Sequence, residues 1–254
     1  MDIDTILQAD TLAAIIRQHG QSQPGTVAFT YGEEEITFGQ LDAGSSRAAQ
    51  GLLALGVQKG ERITYLGKNH PLYFEVMLGA AKIGAVMTPV NWRLAPPEVA
   101  YILDDCQARV VFVGEGFAGM IDQVRTDVPR LEHVIGIDAG SETGTDYRAW
   151  RDQHPATESD VALTREDDLL QLYTSGTTGR PKGAVMTNGS ILSSRDATGS
   201  EGALRPWQEP VEGDVTLLAM PCFHISGTGT GIGTIVAGTN SIVLPEYDPT
   251  KALD

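Results

Sequence analysis

The densest chemistry in the chain lies in Thr174-Ser175-Gly176-Thr177-Thr178-Gly179-Arg180-Pro181-Lys182-Gly183, which holds four side-chain hydroxyls, three glycines, one arginine and one lysine. Glycines let successive backbone N–H groups turn inward and form an anion-binding nest. Hydroxyls add donors, and a lysine adds a mobile positive point charge suited to phosphate oxygens. The stretch is a cradle for a polyphosphate. It is not the P-loop G-x-x-x-x-G-K-[ST], because Lys182 follows Pro181 and precedes Gly183. A flexible hydroxyl-rich linker has a similar composition. A linker, however, needs neither the apolar run Leu169-Leu170-Gln171-Leu172-Tyr173 in front nor a lysine locked behind a proline.

A second group is Pro221-Cys222-Phe223-His224-Ile225-Ser226-Gly227. A single histidine in an apolar run is more often packed core than a reacting group. His19, His70, His133 and His154 show no metal-ligand spacing. Gly227-Thr228-Gly229-Thr230-Gly231-Ile232-Gly233 accommodates no G-x-G-x-x-G, so a dinucleotide fingerprint is excluded there. This small-residue run reads better as a surface for close helix packing than as room for an acyl chain. No G-x-S-x-G surrounds any serine, which removes the serine-hydrolase reading.

The elements that must position these groups follow from periodicity. Thr5 to His19 carries apolar residues at helical spacing, with Gly20 as the expected stop. Val27–Tyr31 and Ile36-Thr37 read as strands around Gly32, and Thr37 with Gln40 forms a capping-box pattern for a helix reaching Leu55. Strands are expected at Arg62–Leu66, Ala85–Val90, Arg109–Val113 and His133–Ile137, with helices over Tyr73–Ile83, Pro96–Leu103 and Phe117–Arg125 between them. Such alternation predicts an α/β fold with a parallel sheet and crossover helices. Asp138 to Asp168 is dense in Gly, Ser, Thr, Asp and Glu, and only Tyr147–Trp150 hints at order; it reads as a surface connection. Beyond the loop, a helix from about Ser190, a strand at Asp214–Ala219, a helix at His224–Ala237 and a strand at Asn240–Leu244 follow. The division expected is a first α/β lobe over 1–166 and the start of a second over 167–254. Asp248-Pro249 opens a further helix, so the chain reads as a fragment.

The chain has 254 residues and a formal net charge of −15, from 33 acidic and 18 basic side chains. That field disfavours nucleic acid and anionic membrane as partners. Cys106 and Cys222 are far apart, which fits a reducing compartment with neither a disulfide scaffold nor a cysteine zinc site. The acidic start lacks the features of a signal peptide. Val215 to Pro245 contains no Asp, Glu, Lys or Arg, but Pro221, His224 and many small polar residues make it buried core, not an integral membrane segment. A soluble, cytoplasmic protein is expected, and an oligomer stays open.

Tyr173 to Gly183 resembles the phosphate-loop signature of the AMP-forming, adenylate-forming enzymes, which include acyl-CoA synthetases, aryl-CoA ligases, luciferases and peptide-synthetase adenylation domains. Pro221 to Gly227 resembles that family's aromatic–histidine segment. Gly84-Ala85-Val86 with Pro89-Val90-Asn91-Trp92-Arg93-Leu94-Ala95-Pro96-Pro97-Glu98 is similar to an early motif of acid–CoA ligases. The similarity in motif order runs along the whole chain and covers the front part of the family's large N-terminal domain. It implies a layered α/β fold and two-step chemistry: ATP and a carboxylic acid give an acyl-adenylate and pyrophosphate, and the thiol of CoA then takes the acyl group. It also implies that Ser175, Gly176, Thr177, Thr178, Gly179 and Lys182 hold the ATP phosphates, and that Thr174 lies near Mg²⁺. Phe223, His224 and Gly227 would border the acyl and thiol channel, with His224 the catalytic candidate, and Arg93 would meet a CoA phosphate. A peptide-synthetase adenylation domain and a non-catalytic nucleotide- or partner-binding derivative are the alternatives. The family's adenine-binding motifs and its C-terminal lysine domain have no counterpart here, so this polypeptide alone is expected not to turn over.

Overall fold

The computed structural model describes residues 9–138, 142–174, 180–198 and 213–249. Two sheets organise them. The first has four strands: β1 (Val27–Tyr31), β2 (Glu34–Thr37), β9 (Val215–Leu218) and β10 (Asn240–Val243), in the order β2-β1-β10-β9. The second has six: β3 (Arg62–Leu66), β4 (Val86–Val90), β5 (Val110–Gly114), β6 (His133–Ile137), β7 (Asp168–Thr174) and β8 (Lys182–Thr187), in the order β6-β5-β3-β4-β7-β8. Both are parallel apart from one antiparallel pair each, β1 with β2 and β7 with β8.

The expected alternation of strand and helix is therefore present, but the sheets do not follow a division at 166/167. β7 pairs with β4, and β10 pairs with β1, so each sheet takes strands from both sides of that position. Parallel pairing fixes no sequence separation, and nothing in a strand's own residues says which edge it joins.

Eight helices are described: α1 (Leu12–Ser22), α2 (Phe38–Ala54), α3 (Pro71–Ala81), α4 (Pro96–Asp105), α5 (Ala118–Val124), α6 (Tyr147–Arg151), α7 (Asn188–Thr198) and α8 (Ile225–Ala237). All of α3 is buried, because it lies between the sheets. Phe74 stacks on Phe29 of β1 at 4.9 Å, and Tyr73 meets Tyr65 of β3 edge-on at 5.1 Å. Strand alternation splits the core into two layers. Val110 and Phe112 of β5 join the cluster with α1, α2, α3 and α8, whereas Val111 and Val113 face α4 and α5 with Val99, Leu103 and Ile121.

The capping box forms as the sequence predicts: the Gln40 N–H donates to Thr37 Oγ1 at 3.2 Å, and the Thr37 N–H donates to Gln40 Oε1 at 2.9 Å. Gly20 does not stop α1, which runs on to Ser22. Its missing side chain instead admits Asp42, whose Cβ would lie 2.6 Å from a Cβ at position 20. The sequence-predicted start of that helix at residues 5–8 lies outside the described residues.

The stretch 138–168 is more than a surface connection. Tyr147 and Trp150 are buried. The Tyr147 hydroxyl and the Arg151 guanidinium both donate to Glu75 Oε1 at 2.8 Å, tying α6 to α3. Burial pushes the Glu75 carboxyl above its usual range, and Arg151 pulls it back down. Strand β8, which the sequence reading did not anticipate, lies at the edge of the six-stranded sheet, with Val185 exposed.

Candidate functional site

The chemistry-bearing residues collect at the carboxyl ends of the parallel strands, the edge where open α/β sheets bind ligands. Thr174 ends β7 and Lys182 begins β8, and the two face each other in register across the antiparallel pair. Both are exposed. The Thr174 hydroxyl contacts the Lys182 carbonyl at 3.5 Å. The loop of 174–183 is thus the connection of a β-hairpin whose stems carry a hydroxyl and an ammonium side by side. Ser175, Gly176, Thr177, Thr178 and Gly179 lie outside the described residues. Gly183 has a local reason to be glycine, since a Cβ there would overlap the Gln171 side chain, 3.0 Å from its Cδ.

His224 is the N-cap of α8. Its Nδ1 accepts from the Ser226 backbone N–H at 3.3 Å and lies 2.9 Å from Ser226 Oγ. Nδ1 is therefore the acceptor, and Nε2 of the neutral ring carries the proton. The ring is exposed, not packed core. Phe223 is half-buried, and the Arg93 guanidinium sits 5.9 Å from its ring centre while stacking on Trp92 at 4.6 Å. The structure thus brings Arg93, from the segment after β4, to Phe223, from the segment after β9. Among the described residues, the His224 ring bonds to Ser226 and not to Thr174 or Lys182.

The small-residue run after His224 divides by face. At Gly227 a Cβ would fall on the Met220 and Pro221 carbonyls, and at Gly231 it would fall on the Phe74 ring. Gly229 and Gly233 leave that space open, Gly233 having nothing within 4 Å. Close packing therefore accounts for the inner glycines.

What holds the Pro221–His224 turn is a buried side chain the sequence did not single out. Asn69, between β3 and α3, is 3 % exposed. Its Nδ2 donates to the Met220 and Leu244 carbonyls at 3.0 Å each, and its Oδ1 accepts the Cys222 N–H at 2.8 Å. Tyr73 adds a 2.7 Å hydroxyl contact to Thr228, whose own hydroxyl donates to the Cys222 carbonyl. The only sequence signal for Asn69 is an amide ahead of the apolar helix α3. Burial raises both cysteine thiols, Cys106 to about 12 and Cys222 further, so neither is a thiolate nucleophile at neutral pH. Among the described residues no group of three or more His, Cys, Asp or Glu could hold a metal ion. No helix among them is long and apolar enough to cross a membrane.

Comparison with known proteins gives this arrangement a context. The profile of the AMP-binding enzyme family matches residues 16–254. A fatty acid–[acyl-carrier-protein] ligase of Streptomyces coeruleorubidus is 35% identical over 97% of this chain and 46% of its own length. A long-chain-fatty-acid–CoA ligase of Mycobacterium tuberculosis is 35% identical over 93% of this chain and 46% of its own. Among solved structures, a Mycobacterium tuberculosis fatty acyl CoA synthetase superposes with a TM-score of 0.81 at 31% identity, covering 96% of this chain and 46% of that one. The chain spans about half the length of the curated relatives it matches.

Proposed function

The chain belongs to the AMP-binding enzyme family, and from that premise we propose that it carries the phosphate grip and part of the acyl–thiol channel of an acid–CoA ligase. In the first step a carboxylate oxygen attacks the α-phosphorus of ATP, forming the acyl-adenylate and releasing pyrophosphate. In the second, the CoA thiol attacks the acyl carbon, AMP leaves, and the thiol proton passes to solvent or a base. The observation that carries this reading is the register of Thr174 opposite Lys182, with a glycine- and hydroxyl-rich connection between them.

In this proposal Lys182 holds the β- and γ-phosphates as a point charge, and the hydroxyls and N–H groups of Ser175, Gly176, Thr177, Thr178 and Gly179 complete the cradle. Magnesium arrives with ATP. Thr174 offers it one exposed hydroxyl oxygen, which suits an ion that keeps most of its waters and takes the rest of its ligands from phosphate. His224, with Nδ1 engaged by Ser226, presents Nε2–H towards the acyl carboxylate beside Phe223, while Gly227 keeps the turn beneath it compact. Arg93, stacked on Trp92 near Phe223, meets a CoA phosphate. The names of the relatives leave the acyl class open and include one whose acceptor is an acyl-carrier protein.

Titration of the chain with pyrophosphate and with MgATP tests the grip. Lys182→Ala is expected to weaken both by roughly tenfold, the scale of one charge-assisted contact. Equal affinities for the wild type and the variant would sink the assignment of the loop.

A further inference from the structure

We propose that helix α4 is the brace that sets the phosphate loop, with Tyr101 and Asp105 as its two positioning residues; the inference rests on the phosphate-grip reading above. The two positions are four apart and so lie on one face of α4, one turn from each other. Each holds a different stem of the hairpin. On the incoming stem, the Tyr173 hydroxyl donates to Asp105 Oδ2 at 2.5 Å and accepts from Gln171 Nε2 at 3.2 Å. On the outgoing stem, the Tyr101 hydroxyl donates to the Pro181 carbonyl at 3.2 Å, and the Arg180 guanidinium lies 5.6 Å above the Tyr101 ring.

These contacts fix the residues directly before Thr174 and directly before Lys182, the two groups whose side-by-side placement the grip needs. The ladder alone sets the spacing of the stems. It does not set the direction in which the Lys182 stem leaves the sheet edge, because among the described residues no further strand lies beyond β8. The hydrogen bond to the Pro181 carbonyl and the ring under Arg180 supply that constraint from outside the sheet. The segment leading into α4 carries Arg93 against Phe223, so one continuous piece of chain, 93–105, touches both groups of site residues. Tyr101 is half-buried, its ring packed against the core beneath α4, and Asp105 is exposed, so Tyr101→Phe and the Asp105 variants remove polar contacts while leaving the core side chains in place.

The test is pyrophosphate binding to the 254-residue chain, read beside thermal unfolding. Tyr101→Phe keeps the ring under Arg180 and removes only the hydroxyl; it is expected to raise the pyrophosphate Kd about fivefold, the value of one hydrogen bond. Tyr101→Leu removes both contacts and should exceed that. Asp105→Ala should match Tyr101→Phe, whereas Asp105→Asn keeps an acceptor for Tyr173 and should restore most of the affinity. All four variants are expected to unfold within a few degrees of the wild type, since one surface-linked hydrogen bond shifts the midpoint only slightly. Pyrophosphate affinities equal to the wild type, or losses that track the unfolding midpoint without rescue by Asp105→Asn, would overturn the brace while leaving the grip intact. A wild-type chain with no pyrophosphate affinity would overturn the grip reading and the positioning role with it.

Discussion

Asn69 and Cys222 lie 153 positions apart, yet the Asn69 side-chain oxygen accepts the Cys222 N–H at 2.8 Å. Through this bond and the two donated to Met220 and Leu244, the end of the six-stranded sheet is fastened to the end of the four-stranded one. The Phe223–His224 turn is thus held by an amide that belongs to neither of its neighbours in sequence. Asn69→Ala removes three hydrogen bonds, the one to the Cys222 N–H buried and the two to the Met220 and Leu244 carbonyls partly buried, and should cost about 3 kcal/mol in a denaturant titration. A loss below about 0.5 kcal/mol, the range of ordinary surface changes, would show the clamp to be dispensable.

Arg151→Ala would leave Glu75 buried without its counter-ion, an arrangement expected to cost about 3 kcal/mol at neutral pH. The sign with pH is definite. Burial holds the Glu75 carboxyl above its ordinary value, so the folded state binds the proton more tightly than the unfolded state. Stability of the variant should therefore rise as the pH falls from neutral towards 4.5, the ordinary value, as Glu75 becomes neutral. Unfolding free energies of the variant that stay flat or fall over that window would contradict this assignment.

The glycines of α8 make a paired test. Gly231→Ala would press a methyl group into the Phe74 ring and should destabilise by about 1–3 kcal/mol. Gly233→Ala meets nothing within 4 Å in the same helix and should stabilise by up to about 1 kcal/mol. Equal effects at the two positions, measured by thermal unfolding, would mean that the packed face of α8 is wrongly assigned.

His19 is fully buried, with Nδ1 accepting from Gln23 Nε2 at 2.8 Å and Nε2 3.4 Å from the Val236 carbonyl. Burial lowers its affinity for a second proton below that of a free imidazole. The unfolded chain therefore takes up a proton that the folded chain resists, and stability should be complete above pH 6.5 and decline as the pH drops below it. Comparing the pH slope of the wild type with that of His19→Leu isolates this contribution. Identical slopes below pH 6.5 would refute it.

The local features were written in the sequence because local geometry decides them. Thr37 with Gln40 specified a helix start, Pro96 another, and the apolar run within Arg109–Val113 a strand, whose two faces are both buried in the fold. The loop proposed to grip phosphate stood out for the same reason: the donors assigned to it lie within ten consecutive residues, so no fold was needed to bring them together.

Other relationships depend on contacts between distant segments, and no window of sequence contains them. The pairing of β10 with β1 and of β7 with β4 replaced two successive lobes by two interleaved sheets. Gly20 looked like a helix stop because helix ends favour glycine, and only the approach of Asp42 shows that it is a packing position. Asn69, Tyr101 and Asp105 are ordinary residues within their own elements. They acquire roles because the sheets present the Cys222, Pro181 and Tyr173 groups within hydrogen-bond distance. Sequence by itself determined which segment is rich in glycines, hydroxyls and a lysine, and which segments could form strands and helices. Tertiary structure decided what holds those segments in place, since a hydrogen bond constrains separation in space and is indifferent to separation along the chain.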